Sequence, residues 1–270
     1  MNREAPITDL DSTELDAIAR QLLSPQRTAA QPWPSMARRV SLPLDTPAHW
    51  LEGPALELVA HTLGSGPAVM LVHGWQAQGH DMWALAQAVA AQGYSVWVPD
   101  LPAHGHSQGR FFSIPLAAQA LLRWQQQVGD FAAVLGHSVG GACVVQALSE
   151  GLQADKVVLL AVPTHFGSYV REVAQMLGLP ASSLPPLLQK MQHLLGMAPD
   201  AIDMRQQAQW LPQQPLFVHD PHDKIAPCAP AQQVARSWPG AQWQAVHGVG
   251  HFRILHDAQV HQQVLDYLRA

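Results

Sequence analysis

Cysteine is scarce in this chain. Only Cys143 and Cys228 occur in 270 residues, far apart and in apolar or loop contexts. That excludes a disulfide framework and the close pairs of a zinc site. Charge is scarce too: 13% of residues are charged, Lys and Arg total 15, and the formal net charge is −5. Without a basic block, no nucleic-acid partner is expected. No apolar run reaches the roughly eighteen residues of a membrane span. Residues 1–10, with Arg3, Glu4 and Asp9, lack the apolar stretch of a signal peptide, so a cytoplasmic location is expected. What the chain has is apolar content, 48% of it. That is ample for a sizeable core and rules out a disordered chain.

Residues 1–35 read as an N-terminal arm ahead of the main domain, 36–270. Leu10, Leu15, Ile18 and Leu22 approximate one helical face, with Thr8 or Asp11 as cap, and Pro25, Pro32 and Pro34 end it. The arm is expected to pack as a helix on the domain surface or to form a partly loose tail, with a homodimer contact as the alternative. Residues 38–42 and 56–63 alternate as edge strands, antiparallel at the side of a sheet. From residue 68 onward, short continuous apolar runs (68–72, 94–98, 131–135, 156–162, 216–218) alternate with helical stretches. A strand apolar on both faces is buried on both faces, so the pattern predicts an α/β fold. Its central sheet is mostly parallel, with helices on both faces. Residues 164–214 interrupt the rhythm with Leu, Met, Gln and Pro and read as a small helical cap insertion. In such sheets the functional residues sit in loops at the carboxyl ends of the strands.

The chemistry is organised around Gly136-His137-Ser138-Val139-Gly140. An apolar strand precedes this G-x-S-x-G run and an Ala/Val-rich helix follows it. A serine on so sharp a turn is held above the sheet at a helix N-terminus, whose free N–H groups suit an oxyanion. A serine hydroxyl is a poor nucleophile without an adjacent base, and that base needs an orienting acid. Among fifteen histidines, His251 lies in Gly248-Val249-Gly250-His251-Phe252, just past the last strand, and is preferred as base to His247 and His256. The loop after strand 216–218 offers two acids, Asp220 and Asp223. The backbone N–H of Val139, next to the nucleophile, and that of Trp75, in the loop after strand 68–72, are the expected oxyanion donors.

Five pieces in order resemble the α/β-hydrolase superfamily, of the esterase/lipase-like kind with a short cap. They are His73-Gly74, residues 100–107, the serine turn, Asp223 ahead of Ile225 and Pro227, and Gly250-His251-Phe252. The resemblance spans roughly 37–270. It implies the order Ser138, Asp223, His251 and selects Asp223 as the acid, leaving Asp220 to cap its turn. Where the family shows D-x-P-G-x-G-x-S, this chain has Ala103 for the first glycine and His106 before Ser107. The resemblance implies a serine hydrolase acting on a carboxylic ester through an acyl-enzyme, with no cofactor. Thioesterase or amidase activity, or a non-catalytic ligand-binding role, are the alternatives. No metal is expected, although His104-Gly105-His106 and the group His219, His222 and Asp223 can be drawn as ligands. A haloalkane dehalogenase would carry an aspartate where Ser138 stands. For a small-molecule ester with a small to medium apolar acyl group, Met176, Leu187 and Met191 of the insertion are the expected substrate contacts.

Overall fold

A computed structural model describes residues 10–46, 53 and 55–270. Eight strands form one sheet: β1 (Arg38–Asp45), β2 (Ala55–Gly64), β3 (Ala68–Val72), β4 (Ser95–Pro99), β5 (Phe131–His137), β6 (Ala154–Leu160), β7 (Leu216–His219) and β8 (Gln242–Ala245). Their order is β1-β2-β4-β3-β5-β6-β7-β8. β1 and β2 pair antiparallel at one edge, β2 joins β4 antiparallel, and every later pairing is parallel. β6 ends at Leu160, two residues before the apolar run does, where Ala161 takes φ +50 and the chain turns out of the sheet.

The continuous apolar runs follow from burial on both faces. In β3, Met70 and Val72 belong to one buried cluster, while Val69 and Leu71 belong to the other. The first cluster is covered by α3 (Ile114–Val128) and α4 (Val139–Ser149). The second is covered by α2 (Trp83–Ala90) and the C-terminal helix Ala258–Arg269, numbered α10 below. Ser113 caps α3 by accepting from the Leu116 N–H at 3.1 Å, with Pro115 in the first turn, where it costs no hydrogen bond.

The arm is part of this body. α1 (Ser12–Leu22) starts with a reciprocal cap: Asp11 accepts from the Glu14 N–H at 2.9 Å, and Glu14 accepts from the Asp11 N–H at 2.8 Å. Such a cap contributes about 1 kcal/mol. The alternative cap, Thr8, lies outside the described residues. Leu15, Ala19 and Leu23 are buried in the larger core. Beyond α1 the chain runs along loop 100–107, where Arg27 donates to the carbonyls of Ala103 and Ser107, and Trp33 stacks on His61.

Residues 164–214 carry α5 (Phe166–Met176), α6 (Leu184–Leu195) and the short α7 (Met204–Gln207). α6 packs against α1. α8 (Cys228–Ser237), the four-residue α9 (Gly250–Arg253) and α10 complete the chain. Among the described residues, no helix is long and apolar enough to cross a membrane.

Candidate active site

β5 delivers Ser138 to the head of α4 with φ 52 and ψ −133, a conformation side chains rarely adopt, at a cost of order 1–3 kcal/mol. The flanking glycines explain how the turn closes. A Cβ on Gly136 would sit 2.4 Å from the Cα of Gly141, and one on Gly140 would sit 2.2 Å from the carbonyl oxygen of His73. The turn is held by the Ser138 N–H to the Leu160 carbonyl and the Gly141 N–H to the Ser138 carbonyl, both 2.9 Å.

The structure brings together Ser138, His251 and Asp223. Ser138 Oγ is 2.9 Å from His251 Nε2, and His251 Nδ1 is 2.7 Å from Asp223 Oδ2. The second carboxylate oxygen of Asp223 accepts from the N–H groups of Ile225 at 2.8 Å and Ala226 at 3.0 Å. Asp223 and His251 are both buried, so their pairing is shielded from water. His251 sits in α9 rather than on an open glycine loop, while Gly248 and Gly250 take the left-handed turns that lead into it. Asp220, buried at the end of β7, does more than cap its turn. One oxygen accepts from the His222 N–H at 2.9 Å, and the other accepts from the Gly250 N–H at 2.7 Å, beside His251. Burial opposes its charge, but the N–H groups of Gly250, His222 and Val249 hold its carboxyl below the usual carboxylate range.

Neutral histidines to which the sequence assigned no part in the catalytic site build the rest of it. His137, the x of G-x-S, donates from Nε2 to the His251 carbonyl at 2.8 Å. His73 donates from Nδ1 to the Gly74 carbonyl at 2.8 Å and accepts at Nε2 from the Leu101 N–H at 3.0 Å. His104 accepts at Nε2 from the Gln76 N–H at 3.1 Å, and its ring meets that of Trp75 edge-on. Together they stitch the Trp75 loop to loop 100–107. Ala103, where the family pattern has glycine, takes φ 65 in the middle of that loop.

Burial, with the charge of His251 behind it, pushes His137 down to about 3. Burial likewise lowers His73 and His219. Each of these groups is neutral in the folded chain but protonates at about 6.5 once unfolded, so unfolding takes up protons below that pH. Their contribution is complete above about 6.5 and shrinks as pH falls toward the folded values. Going from pH 7.5 to 5.5, the loss at His137 is about 1 kcal/mol. The thermal midpoint by scanning calorimetry should therefore drop by at least about 2–4 °C over that interval. A midpoint that stays level would mean that these imidazoles are not held neutral.

Trp75, Ser138 and Val139 open onto a cavity of about 230 Å³. Its walls are mainly apolar: Leu22 and Leu23 at the end of α1, Phe112 and Ile114 at the start of α3, and Ile202 and Met204 from the insertion. Among the described residues, no Lys, Arg, Asp or Glu lines it. Met176, Leu187 and Met191 do not line it either, which corrects the sequence expectation. Met176 is 77% exposed at the end of α5. Leu187 and Met191 are fully buried, because the apolar face of α6 is turned inward against α1 and the core. The metal groupings drawn from sequence do not assemble. His104 spends both ring nitrogens on backbone partners, and His219 donates to the Ala226 carbonyl. His222 projects into solvent.

A profile of the family described as alpha/beta hydrolase fold matches residues 67–176. The chain is 33% identical over 152 residues to the magnesium-chelatase 30 kDa subunit of Rhodobacter capsulatus, covering 51% of this chain and 53% of that one. It is 26% identical to the pimeloyl-[acyl-carrier protein] methyl ester esterase of Xanthomonas axonopodis pv. citri, over 70% of this chain and 89% of the relative. The chain spans about half or less of the length of the first curated relatives it matches. Among solved structures, an esterase of Pyrococcus furiosus superposes with a TM-score of 0.69 at 16% identity, covering 92% of this chain and 97% of that one. An esterase of Thermogutta terrifontis gives 0.66 at 19% identity, covering 86% and 98%.

Proposed function

We propose that this chain, whose residues 67–176 match the alpha/beta hydrolase fold family, is a serine hydrolase of that superfamily cleaving a carboxylic ester of a small to medium, largely apolar acyl group. The observation that carries the reading is the unbroken hydrogen-bond relay from Ser138 Oγ through His251 to Asp223, opening onto an uncharged apolar cavity. Relatives named as methyl ester esterases support the ester bond.

His251 Nε2 takes the proton of Ser138 as Oγ attacks the acyl carbonyl carbon. Asp223 stabilises the imidazolium through the Nδ1–H. The N–H groups of Val139 and Trp75 receive the oxyanion, aided by the positive end of α4. His251 then protonates the departing alkoxide, leaving an acyl group on Ser138. A water molecule, deprotonated by the same imidazole, attacks that acyl group; the acyl–Oγ bond breaks, His251 returns the proton to Ser138 Oγ, and the carboxylic acid leaves. No cofactor takes part. The test is labelling by a fluorophosphonate together with a panel of acyl esters, thioesters and amides. Stoichiometric labelling with ester turnover is expected, and turnover on thioesters or amides alone would reassign the bond.

A second reading is a binding member of the fold without turnover, since one relative, matched over about half its length, is named as a magnesium-chelatase subunit rather than an esterase. A folded protein that takes no label would select it.

The acyl pocket should be read at Leu22 rather than at Leu187 or Met191. Each buried methylene contributes about 0.8 kcal/mol, or about fourfold in kcat/KM. The preference should rise over a few carbons and then fall where the cavity ends. Leu22→Trp, which fills the cavity from the α1 side, should depress longer acyl esters and spare acetate. Equal losses at every chain length would exclude α1 from the acyl wall.

A further inference from the structure

On the far side of loop 100–107 from Trp75, β2 and that loop meet beneath the arm. His61 of β2, Asp100 and His106 converge there, and one ligand atom from each lies within 4.8 Å of the others. Among the described residues, this is the grouping of three potential ligands that assembles. None of the three lines the cavity at Ser138. His61 and Asp100 are 4% and 2% exposed, whereas the His106 side chain keeps 30% of its surface open to solvent.

Two features lack an explanation in the fold alone. His61 Nδ1 is buried without a hydrogen-bond partner, a state a native interior avoids unless something fills it. Asp100 is a buried carboxylate with no Lys or Arg bonded to it among the described residues. Its oxygens accept from the Gly79 N–H at 2.7 Å and the His106 N–H at 2.9 Å, and Oδ2 lies 3.2 Å from His106 Nδ1. An ionised carboxylate offers about four lone-pair directions, so both oxygens keep capacity.

We infer that His61, Asp100 and His106 form a binding site for one divalent transition-metal ion of the zinc type. Two imidazoles and one carboxylate suit zinc, and calcium or magnesium would demand an all-oxygen shell. The fourth position, on the exposed side of His106, takes water. Ligand atoms around tetrahedral zinc sit about 3.4 Å apart, given bonds of about 2.0–2.1 Å. The group therefore closes by an ångström or so at its widest, and His106 is the member at the surface. Bound there, the ion ties β2 to the loop that carries His104, and through the His104–Gln76 bond it steadies the Trp75 loop. It acts as a clamp and not as a reagent.

The full chain, stripped with a chelator and dialysed, should take up one zinc ion per molecule in a calorimetric titration, and its thermal midpoint should rise with added zinc. His106→Ala and His61→Gln should each weaken zinc binding by at least about tenfold. His222→Ala, which removes an exposed histidine elsewhere, should not. Cobalt should give the visible absorption of a tetrahedral ion in the wild type and lose it in His106→Ala. Ester turnover should persist in chelator at ambient temperature. Absence of stoichiometric uptake, or wild-type affinity in both ligand variants, would overturn the site. Loss of turnover in chelator, restored by zinc, would overturn its role as a clamp.

Discussion

Replacing Ser138 with alanine should lower kcat by about 10⁴-fold or more and abolish labelling by a fluorophosphonate, with the thermal midpoint held near that of the wild type. The first expectation rests on the 2.9 Å contact to His251, which has no other hydroxyl to activate. The second follows from the backbone. Alanine meets the same positive φ at this turn as serine does, and the two turn hydrogen bonds are made by main-chain atoms. Because Ser138 and His251 act as one unit, adding His251→Ala to Ser138→Ala should cost little more than either alone. Measured turnover of Ser138→Ala close to the wild type would remove the serine mechanism. Strict additivity in the double variant would separate the two residues.

Asp223→Asn should also reduce kcat by orders of magnitude, about 10⁴-fold by analogy with other triads. Here the hydrogen bonds dictate the orientation of the amide. Oδ1 of Asp223 accepts two backbone N–H groups, so the asparagine oxygen stays on that side and its NH₂ faces His251 Nδ1. The imidazole must then carry its proton on Nε2, where it cannot accept the proton of Ser138. Asp220→Asn meets a different demand. One of its oxygens accepts from the His222 N–H and the other from the Gly250 N–H, and an amide, with a single oxygen, cannot accept on both sides. The Gly250 bond sits one residue from His251, so we expect about a tenfold loss in kcat and a lower thermal midpoint. Steady-state kinetics with calorimetry on both variants separates the roles. A larger kinetic loss at Asp220 than at Asp223 would move the acid to Asp220.

What the sequence determined by itself is what depends on neighbours in the chain. The strands of the parallel sheet were legible because burial on both faces writes a continuous apolar run, as in Val69 to Val72. The turn at Ser138 was legible because Gly136 and Gly140 answer close approaches within a few residues or to the adjacent strand. His251 and Asp223 were legible as loop residues after successive strands, since parallel topology puts every such loop at the same end of the sheet.

Tertiary structure decided everything that needed two distant segments to meet. Periodicity showed that α6 has an apolar face but not what covers it. α1 and the core cover it, so Leu187 and Met191 are packing residues, and the end of α1 supplies cavity wall instead. His137 carried no signal beyond its place in the motif, because its partner is a carbonyl 114 residues away. The grouping of His61 with Asp100 and His106 was invisible for the same reason. His61 comes from an antiparallel edge strand, and no spacing in the sequence encodes which loop that strand will lie beside. Burial and hydrogen bonding act on neighbours in space, and only the folded chain specifies those.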